Sequence, residues 1–185
     1  MTAERPSTDP PRDARSRPDR ADAACGAHMP RRRRLVAAIA ALAVAPARAH
    51  HGWSSFDASR PLYLEGRVLQ VRWANPHAEL TLEVPAGMKL PADLARRPVP
   101  PQSAAVDGAE LLARTTLPRR ADRQWTVELA PLTRMESWKV PRLQPGDSVA
   151  VVGFAAAGER GDAVLRAEYL FVGGQTYGLR SSPAG

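Results

Sequence analysis

The chain has 185 residues, with 26 Lys and Arg against 19 Asp and Glu, a formal net charge of +7. That charge suggests a nucleic-acid or membrane-surface partner, but residues 1–49 hold ten arginines and five acids and so carry most of the excess. Residues 50–185 are nearly neutral, which argues against nucleic acid as a partner. They also contain no cysteine, since Cys25 lies upstream, and this excludes disulfides and thiolate metal sites there.

Two segments precede the expected domain. Residues 1–28 are rich in proline and charge without apolar periodicity, so we expect either a disordered extension or a misassigned start upstream of Met29. Residues 29–49 have the layout of a secretory signal peptide, with four arginines, a short apolar run and small residues at Ala47 and Ala49. The apolar run is shorter than the roughly 20 residues that span a bilayer.

We therefore expect a periplasmic or secreted protein, cleaved after Ala49 and without a stable membrane anchor afterwards. The consecutive arginines leave a twin-arginine export signal open. Cleavage after Ala47 is a further alternative, and it would leave two residues ahead of His50.

Short strands are predicted beyond the turn-like residues 58–61. In residues 62–73 apolar side chains recur at every second position, but this alternation shifts by one residue near Gly66. The shift, together with the glycine, indicates a bulged, bent strand. In residues 77–84 the even positions are apolar and are predicted to face the core, so His77 falls on the opposite, outward polar face.

A long proline-rich insertion follows at residues 85–122. Its composition predicts a mobile segment with a helical turn at residues 109–113. The remaining elements are a strand at residues 125–129, a short helix opened by Pro131, a turn at Pro145-Gly146, strands at residues 149–154 and 164–172, and an irregular tail from Gly173.

This order predicts an all-β fold: a small five-stranded oligonucleotide/oligosaccharide-binding (OB)-like barrel with one short helix between strands three and four. Another small sandwich of five strands is the alternative. The predicted domain covers residues 50–175, and residues 176–185 are expected to be irregular.

Three histidines, His50, His51 and His77, are the candidate metal ligands. If cleavage follows Ala49, the free amine and ring Nδ1 of His50 can chelate one metal, and a third nitrogen from His77 would complete the tetragonal arrangement that copper(II) favours. His51 offers a competing mode through the amine, its own amide nitrogen and its ring. The simpler alternative is a frayed terminal pair and a solvated strand-capping His77.

Other residues are weaker candidates. Asp57 and Asn75 fit either orienting hydrogen bonds or ordinary turns; Trp53, Phe56 and Trp73 fit an aromatic wall, although Trp73 also fits the core. Met88 and Met135 could bind copper(I), but one lies in the insertion and the other on the buried face of the helix. Nothing in the sequence singles out a close carboxylate pair.

Several motifs carry a family resemblance: His50-His51-Gly52-Trp53, Leu64-Glu65-Gly66-Arg67-Val68, Trp73-Ala74-Asn75-Pro76-His77 and Leu143-Gln144-Pro145-Gly146-Asp147. The chain resembles a family of small secreted bacterial proteins with a domain of unknown function, marked by a His-His pair after the signal peptide and a Trp-x-Asn-Pro-His segment. The resemblance implies an exported β domain and supplies no activity.

Three functions fit these features. The first is an exported copper-binding carrier or buffer that uses His50, His51 and His77. The second is a metal-free module that binds a periplasmic protein or small ligand, and the third is a copper enzyme resembling the histidine brace of oxidative enzymes. The sequence favours a role other than catalysis.

Overall fold

The computed structural model describes residues 53–185, and these residues contain six strands and two short α-helices. The strands are β1 (Phe56–Arg72), β2 (Glu79–Glu83), β3 (Gln124–Glu128), β4 (Ser148–Ala156), β5 (Val164–Val172) and β6 (Gln175–Gly178). The helices are α1 (Gly108–Ala113) and α2 (Leu132–Ser137), and 3-10 turns occupy Trp53–Ser55, Leu94–Arg96 and Ala157–Glu159. None of these helices has the length and apolar character needed to cross a bilayer.

The first five strands close into a ring. β1 pairs antiparallel with β2 and β4, β2 pairs with β3, and β4 pairs with β5. A parallel pairing between β3 and β5 completes the circle, and α2 lies between β3 and β4 in the chain. The strand order and the helix position are those of an OB-like barrel. The predicted all-β, barrel-like fold is therefore confirmed.

β1 bends so that its first half pairs with β4 and its second half with β2. At the bend, a Cβ on Gly66 would lie 1.9 Å from the carbonyl oxygen of Glu83, so only glycine fits. The register with β2 shifts between Val68 and Gln70. The predicted bulge is present. Residues 58–61, expected to form a turn, are part of the strand instead.

The barrel interior is filled by inward-facing apolar side chains. As predicted, the inward residues of the second strand and its flanks are buried: Ala78, Leu80, Leu82 and Val84. They pack in one cluster with Trp125 and Val127 of β3 and with Met135 of α2. Removal of this apolar surface from water is the main stabilising contribution to the barrel.

The insertion at residues 85–122 forms a packed layer on the outer face of the barrel, which corrects the expectation of a mobile segment. Leu94, Leu111 and Leu112 are buried in a second apolar cluster, against the outward side chains Tyr63 and Tyr169. The expected helical turn is present as α1, and Asp107 caps it by accepting a hydrogen bond from the Glu110 amide. Strands that are apolar on both faces need a second covering layer, and the insertion supplies it.

Residues 173–178 form a hairpin with β5, where an irregular tail was expected. Gly173 and Gly174 have φ values of 58° and 75°, which suit the two-residue turn that joins antiparallel strands. β6 then pairs with the C-terminal half of β5. A Gly-Gly pair directly after an apolar run is the signal for this hairpin.

Side-chain hydrogen bonds hold the residues that follow β6. The side-chain oxygen of Gln102 accepts from the amides of Arg180 and Ser181, at 3.0 and 3.1 Å. The Trp138 indole N–H donates to the Ser181 carbonyl at 2.8 Å. Glu168, which has no solvent exposure, accepts from Gln102 at 2.9 Å and from Arg180 at 2.7 Å. These hydrogen bonds connect the insertion with β5 and with residues 179–181.

Candidate metal centre

Of the three predicted ligands, the structure places only His77. His50 and His51 lie outside the described residues, which begin at Trp53. His77 follows the turn at Asn75-Pro76 and lies two residues before the start of β2 at Glu79.

His77 occupies the outward-facing row of its strand, as the alternation predicted, but it is buried. Its neighbour Ala78 faces the core. The Ala78 amide donates to the Ala130 carbonyl, and the Ala78 carbonyl accepts from the Leu129 amide. His77 therefore shares a face with Glu79, yet only 5% of its surface is exposed. The simpler alternative of a solvated, strand-capping ring is therefore wrong, because neighbouring side chains enclose this part of the outer face.

Two carboxylates flank the imidazole. Nδ1 of His77 lies 3.5 Å from Oε1 of Glu79, and Nε2 lies 3.9 Å from Oε2 of Glu128. One ligand atom from each of the three residues can be chosen so that all lie within 4.8 Å of one another, a spacing that could hold a metal ion. Sequence spacing does not reveal this pair, because the two glutamates are separated by the whole insertion.

The carboxylates belong to a row of four charged residues that crosses four strands. In register, Arg72 of β1 is opposite Glu79 of β2, Glu79 is opposite Glu128 of β3, and Glu128 is opposite Arg166 of β5. Two carboxylates directly opposite one another repel. On the side away from the other carboxylate, each glutamate is opposite an arginine, whose positive charge offsets this repulsion.

The compensating contacts are specific hydrogen bonds. Nε and Nη2 of Arg72 donate to the two carboxylate oxygens of Glu79, and the first of these distances is 3.0 Å. The hydrogen bond with Glu79 raises the pKa of Arg72, so that its charge is maintained. On the other side, Nη1 of buried Arg166 donates to Oε2 of Glu128 at 3.1 Å. A carboxylate has about four lone-pair sites, so these bonds leave capacity for a further partner.

Trp53 lies at the edge of the His77 cluster, the group formed by His77, its two carboxylate neighbours and the two arginines that bond them. Its ring stacks with two guanidinium groups, with the carbon of Arg166 at 5.2 Å and that of Arg180 at 4.4 Å from the ring centroid. It also meets Phe154 edge-on at 6.3 Å. Arg166 thus bonds Glu128 and contacts Trp53, so three successive contacts join Trp53 to His77.

The weaker candidates have structural roles. Asp57 accepts hydrogen bonds from Ser59, and Asn75 accepts from the Leu132 amide at the start of α2. Phe56 belongs to the outer apolar cluster, and Trp73 packs against the inner one. The methionines also lie in apolar surroundings: Met135 is buried in the barrel, and the sulfur of Met88 accepts from the Glu65 amide at 3.2 Å.

The donor set around His77 is one imidazole nitrogen and carboxylate oxygens. Such ligands suit zinc, copper(II) and other borderline divalent ions. Three ligands leave at least one coordination position for a further group. The donor atoms of the cluster therefore fit a metal ion.

Residues 37–89 match the Family of unknown function (DUF6152). The matched segment includes the His50-His51 pair, Trp53, His77 and Glu79, and ends before β3. No curated protein and no solved structure matches the chain. The family description names no activity, so a functional argument must rest on the chemistry of the cluster.

Proposed function

We propose that this protein is exported and binds copper(II) through His50, His51 and His77, as a carrier or buffer. The observation that supports the proposal is the burial of His77 between Glu79 and Glu128. A carboxylate lies beside each ring nitrogen, 3.5 Å from Nδ1 and 3.9 Å from Nε2, where it can orient the imidazole and offset the charge of an ion bound there.

The segment that holds the terminal histidines connects to the barrel at Trp53, which lies at the edge of this cluster. An extended chain spans at most about 3.6 Å per residue, so His51 and His50 lie no more than roughly 7 to 11 Å along the chain from Trp53. Trp53 itself is linked to His77 by contacts of 5.2, 3.1 and 3.9 Å through Arg166 and Glu128. These lengths are compatible with a site shared by the segment ahead of Trp53 and the barrel.

Cleavage after Ala49 would supply the remaining donors. The new α-amine and the imidazole both have reference pKa values of about 6.5 to 8, so a metal displaces their protons readily near neutral pH. With His77 they provide three or four nitrogens, the set that favours the tetragonal geometry of copper(II). Glu79 and Glu128 then orient His77 or offset the positive charge of the ion.

The test is a copper(II) titration of the protein that begins at His50, followed by calorimetry and electron paramagnetic resonance. We expect a one-to-one complex with nitrogen hyperfine structure. Acetylation of the terminal amine and the substitution His77→Gln should each weaken binding at least about tenfold, since each removes a ligand. Glu128→Gln should weaken it about 10- to 100-fold, and the exposed control Glu136→Gln should leave it unchanged.

Two outcomes would overturn the proposal. If His77→Gln binds copper(II) as tightly as the parent, the terminus acts alone and the barrel contributes no ligand. If the parent shows no one-to-one complex, a metal-free binding module becomes the better account. Copper-dependent turnover driven by peroxide would instead move the protein to the oxidative enzymes.

A further inference from the structure

A second candidate site lies on another part of the barrel, where the two ends of the insertion meet. A cavity of about 290 Å³ is bounded by the segment after β2, by the segment before β3, and by Leu64 and Trp125. Its walls are mainly apolar and include Val84, Met88 and Leu117. None of these residues belongs to the His77 cluster.

Arg123 lies at the rim of this cavity and also lines a neighbouring one of about 310 Å³ with Gly66, Arg67 and Glu83. Its Nε donates to the Val84 carbonyl at 2.6 Å, which fixes the guanidinium. Within residues 53–185, neither Arg123 nor Arg67 has a carboxylate within 4.0 Å. Glu83 is opposite Arg67 in register, so the two arginines leave a net charge of +1 at this rim.

The other charged pair at the cavity is engaged in the fold. Arg120 donates to the carboxylate of Asp122 and to the carbonyls of Glu159 and Gly161, and it lies over the Trp125 ring at 5.5 Å. Arg120 therefore forms a wall of the cavity, whereas the Nη atoms of Arg123 have no acceptor among the described residues. An anion at the rim would meet Arg123 first.

We propose that this cavity binds a small amphipathic organic anion, with its apolar part against Trp125, Leu64 and Met88 and its carboxylate on Arg123. A cavity of about 290 Å³ lies near the lower end of the volumes found for small-molecule pockets, which suits a small ligand. Sites of this kind combine apolar walls with a few fixed polar groups. Arg67, which lines the neighbouring cavity, adds a second positive charge that attracts the anion.

The probe is octanoate, with 1-octanol as its uncharged counterpart, titrated in the presence of a chelator so that no metal contributes. We expect saturable one-to-one binding of octanoate, weaker binding of octanol, and shifts of the Trp125 indole and Gly66 amide resonances. Arg123→Gln should weaken octanoate at least about tenfold, because it removes a charge-assisted hydrogen bond, and should leave octanol unchanged. The control is Arg119→Gln, which removes the same positive charge from an exposed position in the same insertion.

The proposal is overturned if octanoate does not saturate, or if Arg119→Gln weakens it as much as Arg123→Gln does. It is also overturned if the resonance shifts map elsewhere on the barrel. These outcomes are independent of copper binding, so this site and the His77 cluster can fail separately.

Discussion

The substitution Leu112→Ala tests whether the insertion is part of the folded barrel. Leu112 is 1% exposed and packs in the outer apolar cluster with Leu94 and Tyr63. The change removes three buried carbons, worth about 2.4 kcal/mol at about 0.8 kcal/mol per methylene. The cavity left behind adds to this, and measured Leu→Ala costs run from about 2 to 5 kcal/mol. We expect a loss of about 3 kcal/mol in the free energy of unfolding.

The assay is urea denaturation followed by tryptophan fluorescence, since Trp125 and Trp138 report on the barrel and on α2. Leu90→Ala is the matched control: it removes the same atoms from the same insertion, but Leu90 is 40% exposed. We expect the control to stay within about 0.5 kcal/mol of the parent. Both variants should unfold in one transition, because insertion and barrel share a cluster.

Equal stability of the two variants would refute this reasoning. So would two separate transitions in Leu112→Ala with the second one at the parental midpoint. Either result would mean that the insertion is not integral to the folded barrel.

Three further substitutions test other parts of the structure. Burial opposes ionisation of Glu159, but hydrogen bonds from Arg60 and from the amides of Arg119 and Arg120 outweigh it and lower the pKa of Glu159. The ionised Glu159 carboxylate therefore contributes its full stabilisation above pH 4.5, the ordinary pKa of a glutamate, and loses it as the pH falls below that value. Glu159→Gln should lower the free energy of unfolding by about 2 kcal/mol at pH 7. Denaturation measured across pH should show the gap between variant and parent shrinking in acid. Gly66→Ala should cost at least about 2 kcal/mol in thermal unfolding, because its Cβ would collide with the backbone of β2; a neutral result would show that the bend is tolerant. Trp53→Ala should lower the copper(II) affinity of the protein that begins at His50 by about tenfold in calorimetry while leaving the acetylated form unchanged; an equal effect on both would exclude a positioning role.

Local patterns in the sequence predicted the parts of the fold that depend on local chemistry. The bounds of β5 follow from an apolar run between glycine-rich turns, the start of α2 from Pro131, and the bulge in β1 from Gly66. The hairpin after β5 depends on an equally local signal, the Gly173-Gly174 pair, which the prediction of an irregular tail does not take into account.

The remaining features depend on register between distant segments. Glu79 and Glu128 become neighbours only because β2 and β3 pair across an intervening insertion, and no spacing rule gives that register. The burial of His77 and of Leu112 likewise depends on which surfaces come to cover them. The imidazole could be chosen from the sequence as a candidate ligand, whereas its two carboxylate neighbours could not.

The hydrogen bonds that hold residues 180 and 181 have a practical consequence for engineering this protein. Glu168 is enclosed completely, and among residues 53–185 its carboxylate accepts hydrogen bonds from Gln102 and Arg180. A version truncated at Gly178 would leave that carboxylate with Gln102 alone and would also remove one of the two cations that stack on Trp53. The Ala184 amide also donates to the Pro101 carbonyl, so affinity tags or fusion partners are safer when attached after Gly185 through a flexible spacer.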